Sequence, residues 1–230
     1  MVVGFEVWAD FGHFSHPATV YSSLTYPVPP KTTVMGMLGA IAGLDEYLGL
    51  NAMRYSVVVE RLEGKRQFCF NGIKDALKEL DPKKGGGFRK GRKQFYRELL
   101  IDPHYRIYCD LGDVEGELRS TVVAALQREV ACYPLYMGIN FCLANYRFLG
   151  EFSPKPQQKE EVWIDSIVPL TYDFVIEPGK QYTDVRMARS VSEGRLFGDF
   201  TDYLVETTGQ PILCKNAEFV QVGDRKIVWS

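Results

Sequence analysis

The chain has 230 residues, of which 46% are hydrophobic and 24% are charged, and its formal net charge is −2. This composition allows a sizeable core in one large domain or two small ones, and it excludes a chain that is disordered throughout. The near-neutral charge argues against a small autonomous nucleic-acid binder, which is usually strongly basic, but it allows a local basic patch within a larger assembly.

The first part of the chain predicts a strand, a stiff loop and a helix. Apolar residues alternate from Val3 to Phe11, and this period of two predicts a strand. The proline-rich stretch 26–30 then favours an extended path. We expect Thr32 or Thr33 to cap a helix that ends near Leu44.

The middle of the chain continues with two strands, a helix and a strand. The predicted strands cover residues 53–62, 104–111 and 139–149, and helical spacing of apolar residues predicts a helix over 114–129. The resulting order is typical of the α+β class and of its ferredoxin-like (RRM-like) βαββαβ arrangement. We therefore expect two helices on one face of a four-stranded antiparallel sheet.

The last third predicts a smaller β-rich unit. The polar, proline-bearing segment 151–161 is interpreted as a linker, and the chain is strand-rich from about Val162 onwards. A hairpin is expected over 218–229, with its turn at Gly223 and Asp224. The predicted organisation is a ferredoxin-like domain over residues 1–150 and a small β-rich C-terminal subdomain over 151–230.

A basic arm interrupts the predicted sheet. The insertion at about 63–103 is longer than a hairpin connection needs. It contains a run of cations without an acidic residue among them: Lys83, Lys84, Arg89, Lys90, Arg92, Lys93 and Arg97. Phenylalanine, tyrosine and glycine are interleaved with them. This mixture favours single-stranded nucleic acid, because cations release counterions and rings stack on bases; the alternative is a solvated loop.

The start of the first helix has the composition of an anion site. Lys31, Thr32 and Thr33 lie beside first-turn N–H groups, which are unpaired at the positive end of the helix dipole. Three glycines follow in the same helix: Gly36, Gly39 and Gly43. They would let a ligand's phosphates come close, or would only allow tight packing of the helix on the sheet.

Two weaker signals lie elsewhere. His13 and His16 follow a strand, so a metal site is disfavoured, and a loop histidine that contacts a phosphate or backbone is expected instead. Gly138 precedes a predicted strand, with Tyr136 and Asn140 at its edge. It marks either a tight turn or a close approach to a ligand.

Cysteine usage and hydropathy predict the compartment. The five cysteines are widely spaced and form no C-x-x-C pair, which disfavours a disulfide framework and a zinc site and favours reduced thiols. The chain begins with a strand pattern and contains no apolar run of membrane-spanning length. A cytoplasmic protein with no membrane contact and no cofactor is expected.

Three stretches together resemble the CRISPR-associated RAMP proteins of family number five, and most closely the type I-B branch. They are the first strand ending in WADFGHF, the segment SSLTYPVPPKTTVMGMLGAIAGL, and YPLYMGINFCLANY at 133–146. The resemblance covers the N-terminal two thirds of the chain. It implies a ferredoxin-like RNA-recognition fold with an inserted thumb, formed here by the basic arm.

The resemblance also implies a function and partners. The protein would be a non-catalytic, RNA-binding subunit of a type I Cascade complex that holds the 5′ handle of the CRISPR RNA and caps the backbone filament. Its neighbours would be the repeated backbone subunit, the large subunit and target DNA near the flanking motif. The residues implied to line the handle groove are Ser22, Ser23, Tyr26, Lys31, Thr32 and Thr33. An arginine is expected soon after the first strand, where this chain has His13 to His16.

Two other functions stay open. One branch of the family processes CRISPR RNA with a tyrosine–lysine–histidine constellation, and no such trio is identified at matching positions here. A metal-independent endoribonuclease is therefore the alternative enzyme, and a scaffold that binds only proteins is the third class.

The basic arm predicts a charge-dependent affinity for RNA. Reversing the charges of Arg89, Lys90, Arg92 and Lys93 to glutamate should weaken binding of repeat-derived RNA by at least about tenfold and flatten its salt dependence. Gel shifts at several salt concentrations measure both quantities. Unchanged affinity would favour the protein-only scaffold.

Overall fold

The computed structural model describes residues 1–17, 19, 23–73 and 92–230, with the backbone alone at positions 73, 92 and 93. Two α-helices are present in this part, α1 (Lys31–Ala42) and α2 (Gly116–Arg128). The strands of the N-terminal two thirds are β1 (Val2–Trp8), β2 (Phe11–Gly12), β3 (Phe14–Ser15), β4 (Thr25–Tyr26), β5 (Arg54–Arg61), β6 (Gly64–Ile73), β7 (Arg92–Ile101), β8 (His104–Asp110) and β9 (Asn145–Phe152). The remaining strands are β10 (Pro156–Ile164), β11 (Val168–Pro169), β12 (Asp173–Val175), β13 (Tyr182–Ser192), β14 (Leu196–Glu206), β15 (Ile212–Val222) and β16 (Arg225–Ile227). The α+β class is confirmed.

A four-stranded antiparallel sheet forms the centre, in the order β5–β8–β1–β9. Helix α1 follows β1 in the chain, and α2 follows β8. On one face, Val57, Ile107 and Phe5 occupy paired positions across β5, β8 and β1, and all three are fully buried. They belong to the same core as Met35 and Leu38 of α1, so this face of the sheet is covered by the helical layer.

The C-terminal strands cover the opposite face. There Val2 and Val58 pack with Val220, Val222 and Ile227, which belong to the β15–β16 hairpin. The predicted turn of this hairpin at positions 223–224 is confirmed, because Val222 pairs with Arg225 across it. Both faces of β1 are thus buried.

The predicted linker at 151–161 is wrong. Strand β9 extends to Phe152, and Pro156 already begins β10, which pairs with β15 over nearly its whole length. Strand β10 lies at the edge of its sheet, and its first six residues are exposed. An exposed edge strand carries no apolar alternation, and a proline is tolerated at its first position; the sequence pattern therefore resembles a linker.

Two other predicted strands have different bounds. The first ends at Trp8, and Phe11 lies in β2, where it pairs with Ile101 of β7 and is 40% exposed. The strand predicted over 139–149 begins only at Asn145. The preceding residues form turns, with one isolated bridge between Tyr136 and Leu143.

The insertion is an antiparallel hairpin in its described part. Strands β6 and β7 pair from Gly64–Ile101 to Ile73–Arg92. Residues 74–91 lie outside the described residues, and with them Lys84, Arg89 and Lys90 of the predicted RNA contacts. None of the helices in the described ranges is long and apolar enough to cross a membrane.

A buried carboxylate organises the back face of the sheet. Glu6 is 4% exposed and lies directly opposite Arg106 on β8 and Arg147 on β9. Arg106 Nε donates to its Oε1 at 3.0 Å, and a terminal nitrogen of Arg147 donates to its Oε2 at 2.7 Å. Burial by itself would raise the pKa of Glu6, but the two arginines outweigh it and hold the pKa below 4.5.

The same network reaches the C-terminal hairpin. Arg106 also pairs with Glu60 at 3.2 Å and with Asp224 in the β15–β16 turn at 3.0 Å. Arg225 donates to Glu60 at 2.7 Å and lies 3.4 Å from Asp165. These ion pairs therefore join β5, β8 and the hairpin around one partly buried cluster.

Replacing the Glu6 carboxylate should make the free energy of unfolding less dependent on pH in the acidic range. Because the pKa of Glu6 is lowered by folding, its stabilisation is complete above its unfolded pKa and is lost as the pH falls through its folded pKa. Glu6→Gln should lower the free energy of unfolding by about 2 kcal/mol at pH 7. The difference from the unsubstituted protein should shrink below pH 4.5, as measured by urea unfolding.

The control is Glu160→Gln, which changes an exposed glutamate on β10. It should leave stability at pH 7 unchanged. An equal effect of both substitutions would contradict a special role for Glu6.

Candidate nucleic-acid interface

Two joined clefts surround the start of α1. The first has a volume of about 360 Å³ and the second of about 320 Å³. Both are lined by the same five residues: Thr32, Thr33, Gly138, Arg195 and Phe197. We call the joined clefts the α1 groove. Gly36 and Tyr136 extend it at one end, and Tyr26 and Phe200 line it at the other.

The helix start differs from the predicted cap. Pro30 occupies the N-cap position, and no side chain that the structure describes caps α1. Pro30 O accepts hydrogen bonds from the backbone N–H of Thr33 and Val34. Thr32 and Thr33 therefore lie in the first turn, half-buried and in the groove, instead of preceding it. No acidic side chain lies in this turn, so the positive end of the helix dipole is not neutralised there.

The three glycines of α1 have three different environments. A methyl group at Gly36 would meet no heavy atom of a described residue within 4 Å, so this position is open to the groove. At Gly39 it would lie 3.4 Å from Tyr47, in ordinary packing contact. Gly43 is the C-cap with φ 71°, and a methyl group there would lie 2.6 Å from Cys132 Sγ. Only Gly36 therefore offers a ligand close access.

Lys31 is placed inside the protein and not in the groove. It is 5% exposed, and its Nζ donates to Asn51 O at 2.7 Å. Burial, followed by the charge of Arg189, lowers the pKa of this ammonium. Asn51 in turn exchanges two hydrogen bonds with the backbone of Val191 in β13. In this structure Lys31 thus ties α1 to β13, in place of the predicted phosphate contact.

His13, Ser23 and Tyr26 are engaged in hydrogen bonds within the protein. His13 is fully buried; its Nδ1 donates to Glu98 O at 2.7 Å, and Ser23 Oγ donates to its Nε2 at 3.0 Å. Burial lowers the pKa of His13, which keeps the ring neutral at pH 7. Tyr26 is 4% exposed and donates its hydroxyl to Arg186 O at 2.7 Å. These groups hold the groove wall, while Ser22 lies outside the described residues.

The predicted loop residues separate into two roles. Tyr136 is 43% exposed and lines the groove. Gly138 has φ 85°, and a Cβ there would overlap the carbonyl of His13. Gly138 therefore lies close to the backbone of His13, and it also lines the groove. Asn140 is exposed and lines neither of the two clefts.

The sequence analysis missed the opposite wall of the groove. The connection from β13 to β14 brings in Arg195, which is exposed, and Phe197, which is 52% exposed. Phe200 is 43% exposed, and the Arg186 guanidinium lies 5.9 Å from its ring centre. The stretch 193–200 combines arginine, phenylalanine and glycine as the basic arm does. This composition is the sequence signal from which the second wall of the groove could have been predicted.

The described residues of the groove combine polar, cationic and aromatic side chains. Among the residues that the structure describes, no group of three or more histidine, cysteine, aspartate or glutamate side chains could hold a metal ion. The groove instead offers threonine hydroxyls, a guanidinium, exposed rings and an open glycine. Hydroxyls and a guanidinium can contact phosphate and ribose, and exposed rings can contact bases.

The family comparison defines the class of protein. The family model described as CRISPR-associated protein (Cas_Cas5) matches residues 2–156. The chain is thus a CRISPR-associated protein. Because the match covers more than half of its length, the chain belongs to the Cas5 family, and the predicted family is confirmed.

Solved structures show the same fold at low identity. A chain of a "CRISPR RNA-guided surveillance complex" has a TM-score of 0.55 at 15% identity, covering 92% of this chain and 91% of that chain. A CRISPR protein from Archaeoglobus fulgidus has a TM-score of 0.52 at 11% identity, covering 99% and 98%. A chain of a Type III-B Cmr-beta complex bound to cognate target RNA has a TM-score of 0.51 at 8% identity, covering 92% and 86%. No curated protein matches the sequence.

The environments of Gly36 and Gly43 predict opposite effects of alanine. Gly36→Ala should raise the free energy of unfolding by about 1 kcal/mol, since alanine favours a helix interior and space is available. Gly43→Ala should lower it by at least about 1 kcal/mol, because alanine is strained at this φ and meets Cys132. Urea unfolding of both variants measures the difference; destabilisation by Gly36→Ala would contradict an open groove.

Proposed function

We propose that the protein is a non-catalytic RNA-binding subunit of a type I Cascade complex that holds the 5′ handle of the CRISPR RNA in the α1 groove. The observation that carries this proposal is the groove itself. In a chain of the Cas5 family it brings Thr32, Thr33 and Gly36 of the predicted handle site together with Arg195 from the C-terminal third.

The fold supports an RNA-recognition architecture. Two helices follow the first and third strands of a sheet in which β8 and β1 are central, and this order supports the proposal of a ferredoxin-like domain. The β6–β7 hairpin lies between the second and third of these strands and continues into the basic arm. We propose that this insertion is the thumb, and that the predicted C-terminal subdomain begins after β9, which ends at Phe152, and not at 151.

Binding would follow from simple chemistry. A phosphate near the first turn of α1 meets the positive end of the helix dipole and the Arg195 guanidinium. The hydroxyls of Thr32 and Thr33 can donate to phosphate or exchange hydrogen bonds with a ribose 2′-OH. The exposed rings of Phe197 and Tyr136 offer faces to unpaired bases. Together these groups select single-stranded RNA over a duplex.

Partner proteins would cover other parts of the surface. We propose a place beside a backbone subunit, a large subunit and target DNA near the flanking motif. The chain of a CRISPR RNA-guided surveillance complex among the similar structures supports a place in an assembly of this kind. Exposed apolar side chains outside the groove, such as Ile176 and Leu170, suit protein contacts. The net charge of −2 agrees with a surface that only partly meets nucleic acid.

The placement of two histidines disfavours the endoribonuclease alternative. His13 is buried and hydrogen-bonded at both ring nitrogens, and His104 lies 3.5 Å from Glu6 on the back face of the sheet. The ring of His16 contacts Tyr26, but the Tyr26 hydroxyl is already donated to a carbonyl. A phenol held in this way is a poor acid–base catalyst.

The test is one incubation of the purified protein with end-labelled repeat-derived RNA, without added metal, divided between a native and a denaturing gel. A shifted, uncut band is expected. Arg195→Ala should weaken binding by about tenfold and reduce the slope of log affinity against log salt by about 0.7, the effect of losing one phosphate contact.

Lys215→Ala is the control, because Lys215 is exposed on β15 and lines neither cleft of the groove. It should bind as the unsubstituted protein does. Specific cleavage would establish the endoribonuclease instead. If the protein binds no RNA even when the backbone subunit is present, the proposed function is wrong.

A further inference from the structure

Four phenylalanine rings form a continuous row outside the α1 groove. Phe11 contacts Phe68 at 5.6 Å between ring centres, Phe68 contacts Phe70 at 6.5 Å, and Phe70 contacts Phe141 at 5.4 Å. We call this row the aromatic ladder. Phe141 is 51% exposed at one end and Phe11 is 40% exposed at the other.

The ladder lies on one face of the β6–β7 hairpin. Phe68 and Phe70 are two residues apart on β6 and therefore share a face. Phe68 pairs with Arg97 of β7, and the Arg97 guanidinium lies 5.8 Å from the Phe141 ring centre. Tyr96, one residue away, lies on the opposite face and is 49% exposed.

The ladder is joined to the groove through one loop. Tyr136 and Gly138 line the α1 groove, and Phe141 follows them within the same turn-rich segment before β9. On the other side, the backbone of Arg97 pairs with that of Ser23 in an isolated β-bridge, and the Ser23 hydroxyl donates to His13. Phe141 therefore lies in the same segment as two residues of the groove, with Arg97 beside its ring.

The charge of this face matches a polyanion. Neither Arg66 nor Arg97 forms an ion pair with another residue that the structure describes. Arg66 lies on the ladder face, two residues before Phe68, and is exposed. Phe68 and Phe70 pack partly against the main core, whereas Phe141 is 51% exposed beside the Arg97 guanidinium. An exposed ring next to a cation suits an unpaired base and its phosphate.

We infer that the exposed ring of Phe141 stacks on an unpaired base of single-stranded RNA, while Arg97 binds the phosphate beside it. The ladder thus extends the RNA path beyond the α1 groove onto the hairpin. Phe70 supports the stacking ring from below, and this contact fixes its position. The inference rests on the proposed function but concerns a separate surface, so the two can fail independently.

The experiment uses repeat-derived RNA with 2-aminopurine, a fluorescent base that stacking quenches, at one position at a time. The unsubstituted protein should quench one or two adjacent positions strongly. Phe141→Ala and Phe141→Leu should abolish this quenching and weaken affinity by about tenfold, the usual value of one stacked base. Phe141→Trp should keep both properties, because indole offers a larger ring face.

Two controls sharpen the result. Tyr133→Ala removes an equally exposed ring that lines neither cleft of the α1 groove and does not belong to the ladder, and it should leave quenching and affinity unchanged. RNA that is abasic at the quenched position should bind the unsubstituted protein about tenfold more weakly, and Phe141→Ala should add no further loss. Circular dichroism confirms that each variant is folded.

The outcomes are distinguishable. If Phe141→Ala binds RNA normally while Arg195→Ala does not, the ladder inference is wrong and the proposed function remains. If Phe141→Ala keeps RNA affinity but loses association with the backbone subunit, the ladder is a protein contact and the inference is wrong. If the unsubstituted protein binds no RNA, the proposed function fails and the inference with it.

Discussion

Strand β1 is buried on both faces, and this constraint determines where the other layers of the protein pack. One face is wholly apolar and is covered by α1 and α2. The other face carries Glu6, whose charge cannot be buried without partners. Arg106 and Arg147 supply them from the neighbouring strands, and Arg106 extends the network to the C-terminal hairpin. The C-terminal strands are thus held against the sheet by apolar contact and by charge.

This arrangement places the groove between parts of the chain that are distant in sequence. Residues of helix α1 form one wall of the groove, and residues of β13, β14 and their connection form the other. The Lys31–Asn51–Val191 hydrogen bonds join the two walls at their base. Because these bonds are partly shielded from solvent and link both walls, they favour a fixed spacing of the walls before any ligand binds. A pre-formed groove loses less conformational entropy on binding than a loop that must first become ordered.

The charges of the protein are divided in the same way. The acidic residues of the back face are paired with arginines inside the fold. The net charge of −2 therefore says little about the charge of the α1 groove and the aromatic ladder. Arg195 in the groove and Arg97 beside the ladder lie away from that network. An exposed arginine, Arg195, and a half-buried one, Arg97, thus lie next to exposed rings on a protein that is nearly neutral overall, and this arrangement suits the proposed RNA-binding subunit.

The sequence by itself determined the existence of the alternating strands, the helix predicted over 114–129, the hairpin turn at 223–224 and the family, because each depends on local spacing or on a contiguous motif. The structure places that helix at Gly116–Arg128. Only the tertiary structure decided which partner each polar group contacts. A lysine beside two threonines predicts an anion site, but only the fold shows that Asn51 O receives the ammonium of Lys31. Likewise, periodicity cannot show that an exposed polar stretch at 156–161 is paired along its backbone, or that Arg195 lies opposite α1. Those facts depend on long-range contacts, which local patterns do not record.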